Sequence, residues 1–167
     1  MNKSLVLTGM MGVGKSTIGR LIAKRLKIKF IDVDKVIEKK EKKTIKRIFE
    51  ENGEKYFRNL EEKATLKILK NNRSVIALGG GAFINNEIRQ KILSSCVSVW
   101  LKVDLDKLIK RYNNDRRPLL DKKKLNTDVK RIYQSRKKIY SLANFKINCD
   151  NIDKIKIVQK ILNFYEN

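Results

Sequence analysis

Short apolar runs alternate along the chain with stretches whose apolar residues recur every three to four positions. That alternation predicts an α/β fold built on a largely parallel sheet. Leu5-Val6-Leu7 reads as a buried strand, and Ile18, Leu21, Ile22 and Leu26 then fall on one helical face. Lys29-Phe30-Ile31 reads as a second strand, followed by helical stretches at 35–51 and 53–70 with Gly53 punctuating them. Ser74–Leu78 is a third strand running into Gly79-Gly80-Gly81, and a helix over 85–93 leads to a strand at Cys96–Leu101. Asp104 is placed to cap a helix carrying Leu105, Leu108, Ile109 and Tyr112. Asn113–Lys124 interrupts the periodicity with the only proline, Pro118, and a lysine run, and predicts a mobile polar loop. A helix over 127–143, a strand at Phe145–Asn148 and a last helix with Ile155, Val158, Leu162 and Tyr165 on its buried stripe complete the pattern. No repeat or linker divides it, so the expectation is a single domain over 1–167.

Composition then narrows the chemistry. No apolar run approaches the roughly 20 residues of a membrane span, and the first residues lead straight into a strand without a signal-like segment. Cys96 and Cys149 cannot form a disulfide framework, and the absence of histidine excludes histidine-based zinc sites and serine–histidine catalysis. A reducing, cytoplasmic setting is expected. Forty Lys and Arg against eighteen Asp and Glu give a net charge of +22. The basic residues are scattered and no aromatic residues are interleaved with them, so they predict a solvated surface with neither a nucleic-acid nor a membrane partner. Charge of one sign also favours a monomer by mutual repulsion.

The most informative segment is Gly9-Met10-Met11-Gly12-Val13-Gly14-Lys15-Ser16, which fits G-x-x-x-x-G-K-[ST] between a strand and a helix. Glycines at 12 and 14 let successive N–H groups converge on a polyanion, and the following helix presents its positive end to the same phosphates. Lys15 adds a charge at the terminal phosphates, and the Ser16 hydroxyl can ligate Mg²⁺. The chain is expected to bind a nucleoside triphosphate.

Asp32-Val33-Asp34 follows the second strand. Read as strand residues, the two carboxylates share a face at the end of the sheet where α/β ligands bind. One is suited to holding Mg²⁺ and the other to accepting a proton from an acceptor hydroxyl. Gly79-Gly80-Gly81 offers a backbone that a ligand can approach closely. Arg58 and Arg136 would not be singled out on composition alone.

The combination resembles the shikimate kinase family, a small group among the nucleoside-monophosphate-kinase-like P-loop proteins. The matching stretches are GMMGVGKSTIGRLIAKRL (9–26), DVD (32–34), IFEENGEKYFRNLE (48–61), LGGGA (78–82) and RRPLL (116–120). The resemblance implies a three-layer sandwich around a five-stranded parallel sheet, with an acceptor-binding segment at about 33–61 and a lid at about 112–124. It implies ATP-dependent phosphorylation of the 3-hydroxyl of shikimate, with ATP and shikimate as partners and Mg²⁺ as cofactor.

Carried over residue by residue, Gly12, Val13, Gly14, Lys15, Ser16 and Thr17 would hold ATP, and Ser16 and Asp32 the metal. Asp34 would act as base. Arg58 and Arg136 would clamp the carboxylate of shikimate; Phe49, Phe57, Glu61, Gly79, Gly80 and Gly81 would complete its pocket. Arg117 would reach the transferred phosphate from the lid. Lys110 and Arg111 are both candidates for the adenine side. The family's R-x-P-L-Y becomes Arg136-Lys137-Lys138-Ile139-Tyr140 here, without the proline. Rival readings are another small-molecule kinase, such as one acting on gluconate or a nucleotide, and a basic nucleic-acid-binding protein that uses ATP as a switch.

Overall fold

The computed structural model describes residues 3–71, 73–112 and 125–166, with the side chains of Arg111 and Leu125 left aside. Asn113–Lys124, where the lid loop and Arg117 are expected, therefore lies outside the described residues. Five strands form one sheet: β1 (Ser4–Thr8), β2 (Lys29–Asp32), β3 (Ser74–Ala77), β4 (Cys96–Lys102) and β5 (Phe145–Asn148). Their order is β2-β3-β1-β4-β5, and every pairing is parallel. Helices cover both faces, which is why β1 and β3 are nearly uniformly buried rather than alternating.

The helices are α1 (Lys15–Leu26), α2 (Val33–Glu41), α3 (Ile45–Ile68), α4 (Asn86–Ser95), α5 (Leu105–Tyr112), α6 (Leu125–Tyr140) and α7 (Lys154–Glu166). A 3₁₀ turn occupies Ala82–Ile84. Helix α1 packs on α7, and α3 packs on α4. Asp104 caps α5 as expected, its Oδ1 accepting from the Asp106 N–H at 3.0 Å.

The chain departs from the sequence pattern in three places. The break after β2 falls at Lys42–Thr44 instead of at Gly53: Lys42 turns left-handed (φ 54°) to end α2, and the Thr44 hydroxyl accepts from the Arg47 N–H to start α3. Gly53 (φ 79°, ψ 173°) only kinks α3, and open space surrounds its Cα. Its glycine answers a backbone need, not a packing one. Leu21 and Ile155 are exposed, at 37% and 61%; the α1 stripe runs through Ile18, Ile22 and Ala23, and that of α7 through Ile157, Val158, Ile161, Leu162 and Tyr165. At these two positions a neighbouring apolar residue one or two places along takes the buried face.

Candidate active site

The phosphate loop joins β1 to α1, with Gly14 (φ 100°) as the cap residue of the helix. A cavity of about 580 Å³ opens over it, lined by Gly12, Gly14, Lys15, Ser16 and Thr17 and closed by Asp32, Asp34 and Gly80. Val13 does not line it: its side chain is buried in the core, so its part is confined to the backbone. The Lys15 ammonium donates to the Gly9 and Met10 carbonyls at 2.9 and 2.8 Å, lying along the loop it belongs to.

The two aspartates are not a strand pair. Asp32 ends β2 and caps α2, its Oδ1 accepting from the Lys35 N–H at 3.3 Å. Its Oδ2 accepts from the Ser16 hydroxyl at 2.6 Å. Asp34 sits in the first turn of α2, beyond the fully buried Val33. The strand-to-helix junction at Val33 achieves what strand alternation was expected to do, and both carboxylates still face the loop.

A second cavity, of about 190 Å³, adjoins the first. Its walls include Asp34, Phe49, Phe57, Arg58, Glu61, Arg136 and the three glycines 79–81. Met11, Asp34, Ile45 and Gly80 belong to both cavities, so Asp34 stands where the two meet.

The glycine run is there for space. None of the three has a positive φ. A Cβ at Gly79 would stand 2.4 Å from Glu61 Oε1 and 2.7 Å from Asp34 Oδ1, and one at Gly81 would stand 2.4 Å from Arg58 Nη1. No ordinary Cβ contact is that short.

Arg58 is fixed from three sides. Its Nη1 donates to Glu61 Oε2 at 2.5 Å, its Nε and Nη2 donate to Glu54 Oε1 at 3.2 and 3.0 Å, and its guanidinium lies 5.1 Å from the Phe57 ring centre. One N–H on each of Nη1 and Nη2 is left for another acceptor. The Phe57 ring is itself held against Phe49, with centroids 4.7 Å apart. Despite the missing proline, Arg136 reaches the cavity and donates to the Gly80 carbonyl at 3.1 Å. The Tyr140 hydroxyl donates to the same carbonyl, and the Tyr112 hydroxyl to that of Met11.

Two buried carboxylate oxygens, Asp34 Oδ1 and Glu61 Oε1, have no hydrogen-bond partner among the described residues. Burial, and next to it the negative charge of Glu61, push the Asp34 carboxyl from 3.8 up to about 6, against the pull of Lys15. Burial also raises Glu61, outweighing its pairing with Arg58.

Lys110 is exposed on α5 and lines a separate hollow of about 310 Å³ with Asp106, Ile109, Asn126 and Lys130. Residues the sequence did not flag are Met11 and Ile45 as shared walls, Glu54 as an anchor for Arg58, and the two tyrosines. The tyrosines carried a signal, since a phenol on an otherwise apolar helical stripe needs a buried partner, and so did Glu54, four residues before Arg58 on one helix.

A strand–loop–helix that cradles phosphates, two carboxylates at its edge and a second cavity for an acceptor define a P-loop phosphotransferase. A profile of the family described as shikimate kinase matches residues 11–166. The shikimate kinase of Sulfurihydrogenibium sp. is 42% identical over 161 residues, covering 96% of each chain. That of Bartonella henselae is 41% identical over 162 residues, covering 96% of this chain and 77% of its own. The solved structure of shikimate kinase from Acinetobacter baumannii in complex with shikimate superposes with a TM-score of 0.94 at 30% identity, covering 99% of this chain and 93% of that one. The chain belongs to the shikimate kinase family. It is a kinase that moves a phosphoryl group from ATP to shikimate, a step of aromatic biosynthesis.

Proposed function

We propose that the 190 Å³ cavity takes shikimate, that the cavity over the phosphate loop takes ATP, and that Asp34 passes the acceptor hydroxyl from one to the other. The observation that carries this reading is the position of Asp34: its carboxylate borders both cavities, and its inner oxygen has no partner among the described residues. A hydroxyl seated beside it donates its hydrogen bond to that oxygen. As the hydroxyl oxygen attacks the terminal phosphorus, its proton passes to Asp34 and ADP leaves. A base held at about 6 is ionised at neutral pH yet able to take a proton during the reaction.

Arg58 and Arg136 hold the shikimate carboxylate through charge-assisted hydrogen bonds, leaving the 3-hydroxyl toward Asp34. Phe49 and Phe57 pack on the ring, Glu61 orients Arg58, and Gly79–Gly81 leave room for the hydroxylated side. This gives the acceptor segment 33–61 its role within a single domain over 1–167. On the nucleotide side, the amides of Gly12 to Thr17 and the end of α1 receive the phosphates. Lys15 exchanges the Gly9 and Met10 carbonyls for phosphate oxygens.

Ser16 and Asp32 fit a Mg²⁺ ion: a hydroxyl and a carboxylate already in contact at 2.6 Å are hard oxygen donors, and no cluster of three or more acidic, histidine or cysteine ligands exists among the described residues. Magnesium suits that sparse set because it keeps water and phosphate ligands of its own. When bound it neutralises phosphate charge. Arg117 completes the phosphate contacts, and Lys110 or Arg111 meets adenine. Two cysteines, Cys96 buried and Cys149 half-buried, without a disulfide between them fit a cytoplasmic protein, and the charge of +22 fits a monomer whose partners are its two substrates. No helix among the described residues is long and apolar enough to cross a membrane.

The test is ADP release with Mg-ATP in the presence of shikimate, gluconate or a nucleoside monophosphate. Turnover with shikimate alone, lost in Asp34→Asn and weakened at low shikimate in Arg58→Ala, is the expected result. Full turnover in Asp34→Asn would remove the base from this scheme.

A further inference from the structure

A further cavity lies beside the active site and shares with it only Asp32 and Lys35. It has a volume of about 730 Å³ and runs along β2, all four residues of which line it. Among the described residues, strand β2 is the outer strand of the sheet, paired on one side only, with β3. One face of α3, carrying Leu60, Ala64 and Ile68, and the exposed Val36 on α2 give the groove an apolar lining. Phe30 projects into it from β2, covered by the Arg20 guanidinium 5.4 Å from its ring centre.

The rim carries a charge pattern unlike that of the active site. Arg20, Lys29, Lys39, Lys40, Lys63 and Lys67 surround the groove, all exposed, and none forms an ion pair among the described residues. By contrast, Arg47, Arg58 and Lys43 on or near the same helix are each paired with a glutamate. Asp32 and Glu41 are the acids in the lining, and Asp32 is already bonded to Ser16.

We infer that this groove docks an acidic, extended peptide segment of a partner protein, which adds a strand to the free edge of β2. An unpaired parallel edge offers N–H and C=O groups to a further strand, and alternate side chains of that strand would fall on the apolar floor. Four residues of β2 span roughly 13 Å, enough for a segment of about six residues with its ends on the lysines. Charge selects the occupant. A lysine on an edge strand discourages pairing with a like-charged copy, and at +22 a second copy of this chain is repelled from this rim. Glutamate and aspartate between apolar residues satisfy both the rim and the floor. A nucleic acid would bring phosphates to the rim but has no row of peptide N–H and C=O groups for the edge of β2, and that distinguishes the peptide from it.

The test uses the whole protein and a fluorescent heptapeptide of alternating glutamate and valine, titrated by anisotropy at low and moderate salt. Three comparisons accompany it: the same peptide with serine for valine, the same peptide N-methylated at alternate residues, and the protein variant K29E/K63E/K67E. Saturable binding is expected, weakened about tenfold or more in each comparison, as loss of burial, of two or three backbone hydrogen bonds, or of three charge contacts should produce. Turnover with ATP and shikimate should be unchanged in the triple variant, since none of the three lysines lines either substrate cavity. If that variant loses turnover, the N-methylated peptide on the unaltered protein decides the matter. Equal binding of the serine or N-methylated peptide overturns the proposal. So does tighter binding of a single-stranded RNA dodecamer or of phosphatidylserine vesicles at this rim, and so does an absence of saturable binding.

Discussion

Replacing Asp34 by asparagine should make the protein more stable and inactive at the same time. The carboxyl sits beside Glu61 with one oxygen unpartnered among the described residues, and its pKa stands at about 6 against an ordinary 3.8. Between those values the native state holds a proton that the unfolded chain has released, so stability falls as pH rises through the window and the loss is complete above it. A rise of that size corresponds to about 3 kcal/mol at neutral pH and above. Asparagine mimics the protonated form but brings an amide that must find acceptors near Glu61, so the net gain should be about 1–3 kcal/mol. For a chain of this length that is a rise of roughly 2–10 °C in Tm. Thermal unfolding followed by circular dichroism at pH 8 and pH 4.5, on both proteins, measures it. The gap should be wide at pH 8 and shrink toward zero at pH 4.5, while kcat falls about 10²-fold or more from loss of the base. A variant that is less stable than the parent at pH 8, or a gap indifferent to pH, would refute the account of a strained carboxylate.

The same group should shape the pH profile: kcat/KM for shikimate should rise with pH along an acid limb centred near about 6, and a limb centred near 4 would contradict the burial argument. Gly79→Ala must displace Glu61 or Asp34 by several tenths of an ångström, so kcat should drop about 10²-fold while KM for ATP stays put; steady-state kinetics with each substrate varied separates the two. Arg58→Ala should raise KM for shikimate by about 10- to 100-fold, as loss of a charge-assisted contact does, and leave ATP binding, read by nucleotide titration, little changed. Lys42→Gly relieves a left-handed side chain at the end of α2 and should add about 1 kcal/mol in urea unfolding, with no change in turnover.

The sheet was legible because each strand is a short apolar run bounded by turn residues, and all five appear in the structure. The phosphate loop was legible because its glycines, lysine and serine have fixed roles at fixed spacing. The break at Lys42–Thr44 was not, since a lysine in a left-handed turn gives no signal of the kind glycine gives, while Gly53 signalled a break and delivered only a kink. Asp34 was recognised for its chemistry but misplaced by geometry: a strand-to-helix junction at Val33 and one strand alternation both bring residues 32 and 34 to the same crevice. Arg58 and Arg136 entered through family resemblance, because nothing in their local sequence shows that the chain folds them onto one glycine run from α3 and α6. Met11 and Ile45 became visible only through tertiary contact, whereas Glu54 stands four residues before Arg58, a helical pairing distance that the sequence carries.

The shared wall between the two cavities has a thermodynamic meaning. A ligand in either cavity changes the affinity of Asp34 for its proton: phosphates raise it by their charge and by drawing Lys15 away, and a donating hydroxyl lowers it. Each ligand therefore sees the other through that proton, with equal effect in both directions. Where Asp34 is ionised in every state, at alkaline pH, this route of cooperativity closes and the two substrates bind without regard to one another. Near pH 6 it opens, and because the two ligands pull the proton in opposite senses, acidity sets how strongly each one, acting through Asp34, opposes the binding of the other.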